Sequence, residues 1–164
     1  MHNDTTRLLG LAVVRVDDAP QDGPVVHLST SDEQARTCPG CAARATRMKE
    51  WVTTSPRDLP VAGRRVDLRW RMRRWHCDQP ECGRKTFTEA VNEVPARARL
   101  TDRLRRAAGA AVADGGRTIV QSARDHGLSW PVVSAAFTAR AAAVLPEQPD
   151  PVAVLGIDEI RRGR

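Results

Sequence analysis

Cys38-Pro-Gly-Cys41 and Cys77-Asp-Gln-Pro-Glu-Cys82 bracket the stretch that decides the fold, Arg65-Val-Asp-Leu-Arg-Trp-Arg-Met-Arg-Arg-Trp75. Val66, Leu68, Trp70 and Met72 alternate with Asp67, Arg69, Arg71 and Arg73. Period-2 alternation marks a strand with one face buried and one face wet. Trp75 breaks the phase and is placed over the knuckle that follows. Because the strand runs straight into Cys77, its apolar face is expected to pack beside that knuckle. The sequence holds 4 cysteines, all of them in these two pairs. A pair two residues apart grips one metal ion from a tight turn, with Gly40 permitting the turn. A second pair across a hairpin completes a tetrahedron, and Zn²⁺ is its usual occupant. The predicted metal ligands are therefore Cys38, Cys41, Cys77 and Cys82.

Two other readings of the cysteines stay open from spacing alone. Two disulfides would suit a secreted domain, although the N-terminal MHNDTTRLLGLAVVRV lacks the pattern of a signal peptide. A redox Cys-x-x-Cys would want a thioredoxin-like setting and leaves the second pair unexplained. His76 adjoins Cys77 and is a reserve ligand that four sulfurs make unnecessary.

Outward from this centre, 8–16 and 25–28 read as two strands of a hairpin joined by the turn-rich Asp17–Gly23, with His27 on a strand face. Residues 44–54 read as a further strand with Met48 and Val52 inward, ended by Ser55-Pro56 and Asp58-Leu59-Pro60. Phe87 is expected beneath the metal, and 88–98 reads as a connector. Thr101 is an N-cap for a helix with Leu100, Leu104, Ala107, Ala108 and Ala111 on one face and Arg99, Arg103 and Arg106 on another. Asp114-Gly115-Gly116 ends it. A second helix over about 117–126 turns Ile119, Val120 and Ala123 inward, and Gly127 stops it. Ser129 caps a third helix with Val133, Ala136, Phe137 and Ala141 on its apolar face. That spacing fits a helix-turn-helix with 129–140 as recognition helix; a plain three-helix bundle is the generic alternative, and the basic zinc module beside it favours the DNA-binding reading. Its groove-facing candidates are Ser129, Trp130, Ser134, Thr138 and Arg140.

Charge is concentrated in the middle of the chain. The net charge of +6 divides into −4 over residues 1–35, +11 over 36–124 and −1 over 125–164. Duplex DNA is the natural partner for such a field. The candidate phosphate contacts are Arg69, Arg71, Arg73, Arg99, Arg103 and Arg106. A row of strand arginines also serves as a solvated face that resists aggregation. No apolar run approaches a membrane span, so a cytoplasmic, nucleoid-associated protein without a membrane partner is expected. The composition, with 2 Phe and no Tyr, makes a small β-unit dependent on a staple.

After the Pro-rich stretch 146–151, Val152–Ile157 forms an apolar run ending in Asp158-Glu159. A buried strand delivering a carboxylate is how a two-metal nuclease core begins.

Taken together, Cys38-Pro-Gly-Cys41, DLPVAGRRVDLRWRMRRWHC at 58–77, ECGRKTF at 81–87, the helices at about 117–144 and LGIDEI at 155–160 resemble the N-terminal part of an ISL3-family insertion-sequence transposase. The resemblance implies a zinc module and a helix-turn-helix that recognise terminal inverted repeats in DNA transposition and recombination. It also implies that Asp158 matches the first acid of a DDE triad on an RNase H-like fold, whose Mg²⁺ ions belong to an intact family member. Glu159 points the other way along the strand and does not supply a missing acid. The remaining acids are expected to be missing, so this chain alone is expected not to catalyse strand transfer. The fold class expected is α+β: a β-rich zinc-ribbon-like module, a three-helix helix-turn-helix domain, and one orphan strand of a truncated RNase H-like domain. The expected divisions are 1–35 (hairpin), 36–95 (zinc module), 96–145 (helix-turn-helix) and 146–164 (linker and first catalytic strand). The expected partner is double-stranded DNA at element ends, with a homodimer or an intact transposase as further associates. The rival functions are a zinc-ribbon/helix-turn-helix transcriptional regulator and a zinc-stapled module that binds an acidic protein.

Overall fold

The alternating stretch is the central strand of one five-stranded sheet. The computed structural model describes residues 10–18, 23–61, 63–146, Val154 and Gly156. Strands β1 (Leu11–Asp17) and β2 (Val25–Thr30) form the expected antiparallel hairpin. Strands β3 (Met48–Thr54), β4 (Asp67–His76) and β5 (Thr86–Thr88) follow, and the sheet order is β1-β2-β4-β3 with β5 also on β4. β2 runs parallel to the first half of β4, from Val25↔Asp67 to Ser29↔Arg71. β3 runs antiparallel along the other edge as far as Trp75, so β5 takes the edge that β2 has left. The hairpin, expected as a unit of its own, therefore shares its sheet with the zinc strands.

β4 changes its buried face halfway along, and this corrects one expectation. Val66, Leu68, Trp70 and Met72 do share a buried face, but they pack with Leu11, Leu28, Val91 and Val94. A separate cluster forms around the metal-binding cysteines, from Ala45, Trp75 and Phe87 with Cys38 and Cys82. Trp75 is odd-numbered and lies on the arginine face, as its shared partner with Arg73 shows: both donate to Glu89 Oε1, at 3.1 and 2.6 Å. The arginine row and the metal cluster thus belong to the same side of the sheet. Met48, expected inward, is 42 % exposed, while Val52 packs on the larger core.

The connector 88–98 is part of the fold. Val91 and Val94 are buried in the main core, and Glu89 and Glu93 are buried beside them. Glu89 accepts from the backbone N–H and Nε of Arg73 and from Trp75 Nε1. A carboxylate taken out of water needs such donors. Glu93 accepts from the backbone N–H of Arg103 at 2.7 Å, a favourable place for an anion at a helix N-terminus.

Three helices complete the chain: α1 (Asp102–Ala113), α2 (Ile119–Asp125) and α3 (Trp130–Val144). Thr101 caps α1, accepting from Leu104 N–H, and Thr118 with Gln121 forms a capping box on α2. Ser129 is the N-cap residue of α3, without a side-chain cap bond. Ala108, Ala123 and Val133 make the helical core, and buried Ser122 donates to Ala108 C=O at 2.9 Å. Val120, expected inward, is 48 % exposed on α2. Gly127 has φ +60 and closes α2, as its sequence position required.

The tightest helix crossing is at Gly109, which sequence spacing did not single out. A Cβ there would lie 2.6 Å from Ala136 O and 3.3 Å from Phe137 N on α3. Gly109→Ala should cost on the order of 1–3 kcal/mol by overpacking, offset by about 1 kcal/mol of helix propensity. A lowered melting temperature at 222 nm is the expected result; an unchanged or higher one would mean that the crossing relaxes freely.

The helices are clasped to the sheet by the loop before β4. Arg57 exchanges backbone hydrogen bonds with Arg99 O and Thr101 N, both at 2.9 Å. Asp58 accepts from Thr101 Oγ1 and Arg103 Nε, each at 2.7 Å, and pairs with Arg103 Nη2. Arg57 also reaches the α2–α3 turn at His126 O. The predicted strand at 152–157 lies outside the described residues except for Val154 and Gly156, which carry no regular structure.

Candidate zinc centre and nucleic-acid interface

Two loops bring the four thiols together. The first follows a 3-10 turn (Glu33–Arg36) capped by Asp32, and within its own loop Cys38 N–H donates to Ala43 O while Cys38 O accepts from Ala42 N–H. The left-handed residue of this knuckle is Ala42, at φ 59, and not Gly40. A Cβ at Gly40 would meet Cys82 Sγ at 3.4 Å and Cys38 Sγ at 3.9 Å, ordinary van der Waals contact, so neither φ nor space demands glycine there. The second knuckle leaves β4 at His76 and returns through β5, with Cys77 N–H donating to Lys85 O at 3.0 Å.

The sulfurs of Cys38, Cys41, Cys77 and Cys82 all lie within 4.8 Å of one another. Cys38–Cys82 and Cys41–Cys77 are separated by 3.9 and 3.6 Å. Zn–S bonds of about 2.3 Å in a tetrahedron place sulfurs about 3.8 Å apart, so this donor set fits Zn²⁺. All four cysteines are free, none in a disulfide. His76 is not part of the cluster.

The thiols compete for negative charge. Burial works against the Cys38 thiolate, yet N–H donors of Gly40 and Cys41 and the neighbouring thiols bring it from 9.0 to about 7. At Cys77 the Gln79 N–H favours the thiolate, but burial and three sulfur neighbours push it up to about 12. Four sulfurs this close need a cation to be anionic together. Trp75 walls the cluster, with the Arg36 and Arg73 guanidinium carbons 4.9 and 5.1 Å from its ring.

The expected DNA-contact residues are placed very differently from one another. Arg69 and Arg71 are exposed, and Arg71 lies 4.2 Å from the ring of Trp51, itself 47 % exposed. Arg73 is turned onto Glu89 and Arg103 onto Asp58, so both hold the fold. Arg106 pairs with Asp102 and Glu93 but remains largely exposed, and Arg99 is exposed. On α3, Ser129, Thr138 and Trp130 are exposed and Ser134 is half-buried; Trp130 is 53 % exposed. Thr138 donates back to Ser134 O, and Arg140 pairs with Asp114 at 3.1 Å. Asp158 lies outside the described residues. Trp51 is not among the sequence candidates, although its odd position, out of phase with Met48 and Val52, is the signal that would have placed it on the outward face.

Among the described residues, no helix is long and apolar enough to cross a membrane. Comparison with protein-family profiles matches residues 34–79 to the zinc-finger of transposase IS204/IS1001/IS1096/IS1165. It matches residues 89–141 to the helix-turn-helix domain of transposase family ISL3. The first match stops before Cys82, which the fold brings into the cluster; the second starts at Glu89 and so takes in the buried connector. Searches of curated proteins and of solved structures found no match. A zinc ribbon with a structural Zn²⁺, clasped to a helix-turn-helix and matched segment by segment, places this chain in the ISL3 transposase family, of which it carries the DNA-binding part.

Proposed function

We propose that this chain recognises the terminal inverted repeats of its element as duplex DNA, with Cys38, Cys41, Cys77 and Cys82 as the zinc ligands. The carrying observation is that Arg69 and Arg71 stay in solvent on the metal side of the sheet, while α3 exposes Trp130 beyond a tight α2–α3 turn. The arginine row contacts phosphate and sets register. α3 enters the major groove, where Ser129, Trp130, Ser134 and Thr138 offer hydroxyl and apolar contacts. A zinc module fixed to the helices keeps the two contacts at one spacing. Asp158 would begin a catalytic core, and its role is argued by the family resemblance alone.

The test is a binding titration against salt. Duplex binding should weaken steeply between 50 and 200 mM salt, and Arg69→Ala/Arg71→Ala should reduce the log–log slope by about 2, near 0.9 for each lost phosphate contact. A duplex bearing the element's terminal repeat should bind tighter than a scrambled one by a factor on the order of 10³. A flat salt response would overturn the DNA reading, and equal affinities would overturn the repeat-specific one.

A further inference from the structure

Beside the zinc knuckles an open groove of about 1100 Å³ is lined by Arg84, Lys85 and Arg97, with Gly40, Cys41 and Cys82 in its wall. Resting on the DNA-binding reading above, we infer that this groove is a second phosphate-backbone site, organised by the metal and separate from the Arg69–Arg71 row. Arg84 and Arg97 have no side-chain partner among the described residues, and both are exposed. Lys85 reaches Pro80 O at 3.3 Å, which holds it against the second knuckle. Glu81 is the one acid in the lining, so the groove keeps an excess of positive charge.

Arg97 is the decisive residue. Ala98 N–H donates to Pro95 O at 2.9 Å, and Arg97 sits at the third position of this turn with φ 67. That position favours glycine, because an L side chain is strained there. The chain keeps a long cation at a place where the backbone prefers none, and strained positions of this kind cluster at functional sites. The side chain so held faces the same groove as Arg84, whose Cβ would be 3.6 Å from a Cβ at Gly40. Charge complementarity selects the occupant: convergent guanidinium groups bind phosphate oxygens in forked geometry. The metal fixes the groove because its wall is made of the knuckles themselves.

The test uses the zinc-loaded full chain, a labelled duplex of mixed sequence, and anisotropy titrations at several salt concentrations. Arg84→Ala/Arg97→Ala should retain zinc, lower the salt slope by about 2 and weaken binding about tenfold at 100 mM salt. Arg84→Lys/Arg97→Lys should restore the slope. Arg97→Gly should leave the melting temperature unchanged or raised while affinity falls, a separation that a purely structural arginine would not give. If the wild-type protein binds, Arg69→Ala/Arg71→Ala lowers the slope, and the groove variants bind as wild type with zinc retained, this inference alone is overturned. If the wild-type protein shows no salt-dependent DNA binding, the DNA reading and the groove fall together.

Discussion

Cys38→Ser is expected to abolish stoichiometric zinc binding and to unfold the knuckle end of the sheet. Purified wild-type protein should carry about one Zn²⁺ per chain. The cluster at this end consists of Cys38, Ala45, Trp75, Cys82 and Phe87, with Cys77 at its margin. Three apolar side chains cannot order two loops against chain entropy of about 1–2 kcal/mol per residue. Metal-binding energy is therefore folding energy here. The effect should be local in a way the fold makes specific. Leu28, Val66, Leu68 and Trp70 belong to a different cluster, closed by Val91 and Val94. Hydrogen exchange should lose protection around 38–47 and 75–87 on metal removal and keep it at β2 and the first half of β4. Emission from Trp75 should shift to the red. Metal-free protein with native protection at 38–47 would contradict the proposal that these sulfurs hold the structure.

Arg103→Ala is expected to destabilise the whole chain by about 3–5 kcal/mol, the usual cost of stranding one partner of a buried ion pair. The Asp58 side chain is 1 % exposed, and its pairing with Arg103 joins the β3–β4 loop to α1. Glu93, on the other side of the same helix terminus, also loses a charged neighbour. Asp58→Asn in the Arg103→Ala background should recover part of the loss, since a neutral amide no longer needs the guanidinium. Equal stability of single and double variants would show that the charge is not what costs. The pair also has a pH signature. Burial raises the Asp58 carboxyl, but Arg103, Thr101 and Leu59 N–H outweigh it and hold the group below its ordinary 3.8. A carboxyl depressed by folding stabilises above its unfolded pKa, and that contribution is lost as pH falls below 3.8 through the folded value. Chemical denaturation below pH 4 should accordingly show a shallower pH dependence in Asp58→Asn than in the wild-type chain.

These two variants act on different halves of one problem, which is how a small chain keeps the two proposed DNA-contact surfaces at fixed spacing. The metal orders one end of the sheet. The Asp58–Arg103 pair and the Arg57 backbone bridge join the other end to the helices. Losing the clasp should therefore harm recognition of a long site more than binding to a short one.

Local chemistry made much of this protein readable from its residues. The alternation from Val66 to Met72 identified β4, because a buried strand face repeats every second residue wherever it sits. Thr101, Ser129 and Gly127 marked helix ends, because capping and left-handed φ are decided within one turn of chain. Four cysteines in two close pairs marked a candidate zinc site, because tetrathiolate coordination needs few other groups, and folding brought the four sulfurs within 4.8 Å of one another. Only the tertiary structure decided which arginines are available. Arg69, Arg73 and Arg103 are alike in sequence, yet Arg73 meets Glu89 and Arg103 meets Asp58, 16 and 45 positions away. The parallel β2–β4 pairing, the burial of Glu89 and Glu93, and the Gly109 crossing have the same origin. They depend on segments that meet only after folding, where low dielectric and close contact give a carboxylate or a missing Cβ its meaning, and no local period records them.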